Sequence, residues 1–290
     1  LRGDAGTNAL HHEAQEEGTD CEGLSVLQEN HRLRTAGLRR GTQLRGRSIN
    51  HLRVVSGWWG EGAPSTIKSV YPFFIALFAI PAIAEHPTSF SQAKRFAREI
   101  YQDNQSTFYC GCSYSNDGAI DAASCGYEPR KQPKRGERLE WEHVVSAWEI
   151  GHQRQCWQNG GRRNCEKNDP EFSKMVSDLH NLVPSVGELN GDRSNFRFGM
   201  IPNEPRSYGQ CDFEVDFKDR RAEPPANRQG DIARIYFYMR DQYGLRLSRQ
   251  QTQLFEAWSR MDPVDEWEKV RDFKIKTIQG NSNCHVSNSC

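Results

Sequence analysis

The sequence predicts a mixed α+β domain, and three observations carry that prediction. Two short strand-like segments, Leu139 to Trp148 and Asp178 to Val183, frame a polar stretch. A helix entered through Pro184 follows the second of them. From Gly230 the pattern changes to apolar residues at three- and four-residue spacing, the signature of helices with one buried face. Glu85 to Cys290 hold all of this, with no internal repeat, coiled coil or linker.

What precedes Glu85 differs in kind. The chain has 36% hydrophobic residues and a mean hydropathy of -0.82, polar for a globular protein, and the deficit is concentrated in residues 1–69. That stretch is rich in Arg, Gly, Glu and Thr and shows no steady periodicity, so it reads as a disordered or non-native upstream extension. Because the chain opens on Leu1, a fragment or an extended gene frame is expected, and a signal peptide after residue 69 would place the start of translation near Val70. Residues 70–84 read as a signal peptide. Lys68 precedes the apolar run Tyr71 to Ala84, which closes on small residues before Glu85. The run is short for a transmembrane span, which needs about 20 apolar residues.

Cysteine usage fits an exported chain. Nine cysteines are present, and Cys21 falls upstream of Glu85. Cys110, Cys112, Cys125, Cys156, Cys165, Cys211, Cys284 and Cys290 remain, an even set suited to a disulfide framework. Cys156 and Cys165 close a short loop and are the first pair expected. The C-x2-C spacing of structural zinc is absent.

Along the remaining chain, Phe90 to Tyr101 reads as a helix capped by Ser89. Tyr109 to Tyr127 reads as a stapled loop or short hairpin, and Pro129 to Arg138 as a basic connector. After the first strand, 153–169 reads as a polar, basic loop. Glu171 to Ser177 is expected to be a short helix, Asp178 to Val183 a strand and Pro184 to Asp192 a helix. Irregular chain then runs to about Pro225, with one strand in GQCDFEVDFKD. Three helices follow, around 232–243, 248–261 and 264–278, separated by turn signals at Gly244 and Pro263.

The candidate chemistry lies in the strand–loop–strand–helix stretch. Glu142 and Asn190 offer a carboxylate and an amide carbonyl, donors suited to a hard divalent cation such as Mg2+. His143 can act as general base on water. In the basic segment, Arg162 or its neighbour Arg163 could grip a phosphate with a bidentate fork. Any one of these residues alone reads more readily as surface, and only together and in this order do they point to a site. Adjacent strand residues point to opposite faces, so a distortion of the strand after Trp141 is expected if Glu142 and His143 share a site. The formal net charge is zero and excludes nothing, but Arg130 to Arg138 and Arg154 to Lys167 are local basic patches able to bind phosphates.

EWEHVVSAWEIGHQRQCWQNGGRRNC and MVSDLHNLVPSVGELNGDRSNF resemble the endonuclease I family of exported bacterial nucleases. So do YCGCSYS and AEPPANRQGDIARIYFYMRDQYGLRLSRQQTQLFEAW, and the resemblance spans nearly all of Glu85 to Cys290. It implies a ββα-metal (hairpin plus helix) nuclease motif with a mainly helical C-terminal part. It also implies a magnesium-dependent, sequence-non-specific endonuclease acting on double- and single-stranded DNA, and on RNA in some members. By motif, Glu142 and Asn190 become metal ligands, His143 the general base and Arg162 the phosphate-stabilising residue. The eight-cysteine framework is shared, with a departure near Cys284 and Lys269 that leaves the pairing of Cys284 and Cys290 open.

Supporting roles are expected for His180 and Asn181 on the second strand. Arg163, Arg228 and Arg234 are candidates for DNA contacts, with surface salt bridging an equal reading for Arg228 and Arg234, and His152 reads as a satisfied or exposed histidine rather than a DNA contact. Glu188 and Asp192 could reach a metal through water, while Trp141, Trp148 and Trp157 read as core. The expected protein is a monomer, free of the membrane once its signal is removed, and periplasmic or secreted. The alternative is an exported, disulfide-rich nucleic-acid-binding protein with a decayed nuclease site. A zinc protease would need H-E-x-x-H, which is absent.

Overall fold

The computed structural model describes residues 84–203 and 205–289. The upstream extension, the signal segment except Ala84, Cys21 and Cys290 lie outside the described residues. Helix α1 (Phe90–Ile100) starts where the Ser89 hydroxyl accepts from the Gln92 amide, satisfying one of the N–H groups a helix start leaves orphaned. Ala93, Ala97 and Ile100 of α1 pack on Trp141, Leu179, Leu182 and Ile275 as a small core. Residues 106–127 form isolated β-bridges rather than a regular hairpin, stapled by Cys110–Cys211 and Cys112–Cys125.

The basic connector contains one short helix, α2 (Pro133–Gly136), and leads into strand β1 (Leu139–His143). Next come α3 (Ala147–Gly151), α4 (Gln155–Gln158), α5 (Gly161–Asn168) and α6 (Pro170–Val176). The expected loop over 153–169 is therefore largely helical. Its apolar residues are too few for a helical stripe, and tertiary ties supply what propensity does not. The Cys156–Cys165 disulfide, the expected first pair, links α4 to α5. Asn164 donates to the Cys156 carbonyl at 2.6 Å, Arg154 pairs with Asp169 at 2.7 Å, and Trp157 meets Phe172 edge-on.

A second correction concerns Asp178 to Pro184. Asp178 caps a 3-10 turn at Leu179–Asn181, and strand β2 (Leu182–Val186) comes later and includes Pro184. Proline is tolerated because both strands of this two-stranded sheet have a free edge. The Pro184 carbonyl faces outward and accepts from the Phe108 amide at 2.7 Å, so its missing N–H lies on the side away from β1. Helix α7 (Gly187–Arg193) therefore starts at a glycine, not at the proline. A Cβ on Gly187 would stand 2.5 Å from the Arg135 carbonyl oxygen, a close approach that only glycine allows.

β1 and β2 pair antiparallel, with Leu139 opposite Val186 and His143 opposite Leu182. Where one further strand was expected, three short ones form a second sheet. They are β3 (Arg197–Phe198), β4 (Glu214–Asp216) and β5 (Arg221–Glu223), in the order β3-β5-β4. Four helices close the chain: α8 (Ala226–Tyr243), α9 (Arg249–Met261), α10 (Glu266–Gln279) and α11 (Cys284–Ser287). α8 is buried without a break from Gln229 to Met239, so it is the central helix of the larger core. Ser248 and Asp265 start α9 and α10 with capping boxes. No helix among the described residues is long and apolar enough to cross a membrane.

Candidate active site

The alternation of β1 sorts the site into two faces. Trp141 and His143 lie on the side of α1 and the small core, where the His143 ring sits 4.7 Å from Phe90. Glu140 and Glu142 lie on the side of α7, whose Asn190 and Arg193 are one turn apart and so share a helix face. Asn190 Nδ2 donates to Glu140 at 2.9 Å, and Arg193 Nη1 donates to Glu142 at 2.9 Å. Two strand carboxylates thus meet two helix side chains. The expected distortion after Trp141 is absent, because β1 runs regularly through His143. The chain leaves the ladder only after His143, and Glu142 and His143 border the same cavity from there.

That cavity is about 910 Å³, and Glu142, His143, Arg162 and Asn190 all line it. His143 Nε2 bonds to the Val176 carbonyl at 2.8 Å. A carbonyl only accepts, so Nε2 carries the proton and Nδ1 is the bare nitrogen. Burial, then the charges of Arg162 and Arg193, push the imidazole down to about 3, which keeps it neutral at ordinary pH. Burial pushes the Glu142 carboxyl up to about 7, against the opposing charge of Arg193. Arg162 stands in the first turn of α5, half-exposed, paired with Glu166 at 2.7 Å and 5.1 Å from the Phe90 ring. Arg163 is exposed and does not line the cavity.

The donor set fits a hard cation. Arg193 and Tyr109 both bond to Glu142 Oε1, which leaves Oε2 to a ligand. A carboxylate has no proton to give, so Glu140 fixes the Asn190 amide with its nitrogen inward and leaves Oδ1 as the available atom. One carboxylate oxygen and one carbonyl oxygen match what Mg2+ takes from a protein while retaining several waters.

Other residues singled out in the sequence lie elsewhere. His180 is buried in the 3-10 turn and bonds to the Asn281 carbonyl at 3.1 Å. Asn181 ties both the amide and the carbonyl of Val145, holding the chain where it leaves β1. Arg234 is 2% exposed and locked to Asp231 and Glu268, so it cannot line a phosphate groove. Arg228 bonds to the Phe108 carbonyl and Asp231 beside a separate, smaller cavity. Glu188 accepts from Tyr127 and the amides of 130–132, and Asp192 from Arg130 and Tyr208. Both carboxylates anchor α7 to the connector. Trp148, expected in the core, is 43% exposed at the cavity and stacked on His152 at 3.8 Å. Trp157 is half-buried and also lines the cavity, while Trp141 is buried.

Sequence reasoning missed Glu140, Arg193, Tyr109 and Phe90. Arg193 is 1% exposed, and besides Glu142 it binds the carbonyls of His143 and Val144, pinning the strand end that carries the site. The i, i+2 spacing of Glu140 and Glu142 and the i, i+3 spacing of Asn190 and Arg193 were visible, but only the packing of α7 on β1 gives them meaning. Cys284 is disulfide-bonded as well.

A family model described as Endonuclease I matches residues 86–290. An extracellular deoxyribonuclease of Aeromonas hydrophila is 50% identical over 218 residues, covering 74% of this chain and 94% of the relative. A periplasmic deoxyribonuclease of the same organism is also 50% identical over 218 residues, covering 74% of this chain and 92% of the relative. Endonuclease-1 of Buchnera aphidicola subsp. Acyrthosiphon pisum is 44% identical over 205 residues, with 70% and 82% covered.

Proposed function

The chain belongs to the endonuclease I family, and from that premise we propose a magnesium-dependent nuclease whose centre is the ββα-metal unit of β1, β2 and α7. The protein is an endonuclease acting on DNA without sequence preference, and it is periplasmic or secreted. The nuclease domain is read as Glu85 to Cys290, behind a signal peptide ending at Ala84. The one observation that carries the assignment of roles is that Glu142, His143, Arg162 and Asn190 border a single cavity.

Glu142 Oε2 and Asn190 Oδ1 would hold the magnesium ion. When bound, it supplies polarisation of a phosphoryl oxygen and stabilises charge on the leaving 3′ oxygen. His143, neutral and held by Val176 through Nε2, takes a proton at Nδ1 from the attacking water. The water oxygen bonds to phosphorus as the bond from phosphorus to the 3′ oxygen breaks. Arg162 grips the non-bridging oxygens, where negative charge accumulates. Contacts to phosphate position a strand without reading its bases, so the same residues suit double- and single-stranded DNA. None of these roles requires or excludes a 2′-hydroxyl, and RNA is proposed as a second substrate. The protein acts as a monomer, and its disulfides suit an oxidising compartment. A decayed binding protein is not favoured, since all four positions are intact.

Nicking of supercoiled plasmid by the oxidised protein tests this reading. Open circles should form in magnesium, at scattered positions, and should not form in chelator. Nicking that survives full chelation would remove the metal from the scheme, and an inert protein would remove the nuclease.

A further inference from the structure

Three residues of α1 line the catalytic cavity: Phe90, Lys94 and Arg98. They are spaced four apart, so they form one stripe on one face of the helix, rising about 6 Å per step. The stripe begins at the chemistry. The Phe90 ring stands 4.7 Å from the His143 ring, 5.1 Å from the Arg162 guanidinium and 4.8 Å from Lys94 Nζ. From there it runs outward along α1.

The charges on this wall are sorted in an informative way. Arg135 is paired with Glu140, Arg193 with Glu142 and Arg162 with Glu166. Among the described residues that line the cavity, Lys94 and Arg98 are the cations with no carboxylate partner. Arg98 is exposed, and Lys94 is half-buried with its Nζ over the Phe90 ring. Two unneutralised cations on the wall of a cavity that already holds carboxylates call for an anionic ligand of repeating charge.

We propose that Lys94 and Arg98 form a rail on α1 that binds consecutive backbone phosphates of the DNA strand next to the phosphate being cut. The proposal rests on reading the cavity as a nuclease site. Lys94, nearest to Phe90 and His143, takes the phosphate adjacent to the scissile one, and Arg98 takes the next. Phe90 fixes where the rail starts, because its ring packs against both the His143 ring and Arg162. The rail reads no bases, and it explains how a cavity rich in internally paired charge holds a polyanion.

Each phosphate neutralised on duplex DNA contributes about 0.9 to the slope of log K against log salt. The test is fluorescence anisotropy of a labelled duplex in chelator, where nothing is cut, across a salt series. Lys94→Gln and Arg98→Gln should each reduce the slope by about 0.9, and the double variant by about 1.8. Affinity near 0.1 M salt should fall about eightfold per contact. Lys94→Arg should restore the slope, and thermal melting of all variants should match wild type, since neither side chain holds another element. Wild-type slopes in both Gln variants would overturn the rail. Plasmid nicking by the wild type in magnesium separates the two ideas: nicking with unchanged slopes refutes the rail alone, and absent nicking refutes the nuclease reading beneath it.

Discussion

Glu140 shows how far single residues could be understood from the sequence. The Glu-His pair and the later Asn were legible as a hard-cation and general-base set, and family resemblance supplied their roles. Glu140 was one more acid on a strand. Its part depends on which face α7 covers, and that is a tertiary fact. In the folded chain it accepts from Asn190, Arg135 and Arg138 together, and by holding the Asn190 nitrogen it leaves Oδ1 as the available atom. Glu140→Gln removes the acceptor-only partner and lets the amide rotate. Partners of this kind typically cost about 10–100-fold in metal affinity or activity when lost. The magnesium concentration for half-maximal nicking should therefore rise about tenfold or more in Glu140→Gln. An unchanged magnesium requirement would mean that Asn190 is oriented by something else.

Among the elements, those with strong apolar periodicity were legible. α1, α9 and α10 lie where the spacing places them, and β1 starts at the expected Leu139. α4 and α5 were not legible, because they are held by a disulfide, an Asn–carbonyl bond and an Arg154–Asp169 pair rather than by an apolar stripe. β2 was displaced because Pro184 signals a helix start unless one knows that its nitrogen faces away from β1. The stapled helices matter for function, since α5 carries Arg162. Replacing Cys156 and Cys165 together by Ser opens a loop with a sequence separation of 9, worth about 2–3 kcal/mol by chain entropy. Urea unfolding should show that loss, and nicking should fall more than it does on opening Cys112–Cys125, which holds no proposed catalytic group. Equal losses from the two deletions would detach Arg162 from the staple.

At the scale of the molecule, Asp178 joins distant parts of the chain. It is fully buried and accepts from Tyr238 and Tyr243 of α8, with His86 3.5 Å away. Burial would raise its carboxyl, but hydrogen bonds from His86, Tyr243 and Tyr238 and the charge of His180 hold it well below the usual range. A carboxyl depressed in the folded state stabilises above its unfolded value of 3.8, and that stability drains as pH falls toward the folded value. Melting temperature should therefore drop steeply between about pH 5 and pH 2 in the wild type. Asp178→Asn should melt lower at neutral pH and show a flatter acid limb, and parallel limbs would refute the linkage. None of these ties was visible before folding, although the aromatic-rich α8 that supplies two of them was.

The two-faced strand end, with Glu142 on one side and His143 on the other, is the centre of the account. The initial rate of plasmid nicking by oxidised His143→Ala in magnesium, against wild type, tests it most directly. Loss of a general base predicts a fall of about 10²–10⁴-fold, with duplex binding in chelator unchanged. Nicking by His143→Ala at the wild-type rate would contradict the assignment of His143 as the base.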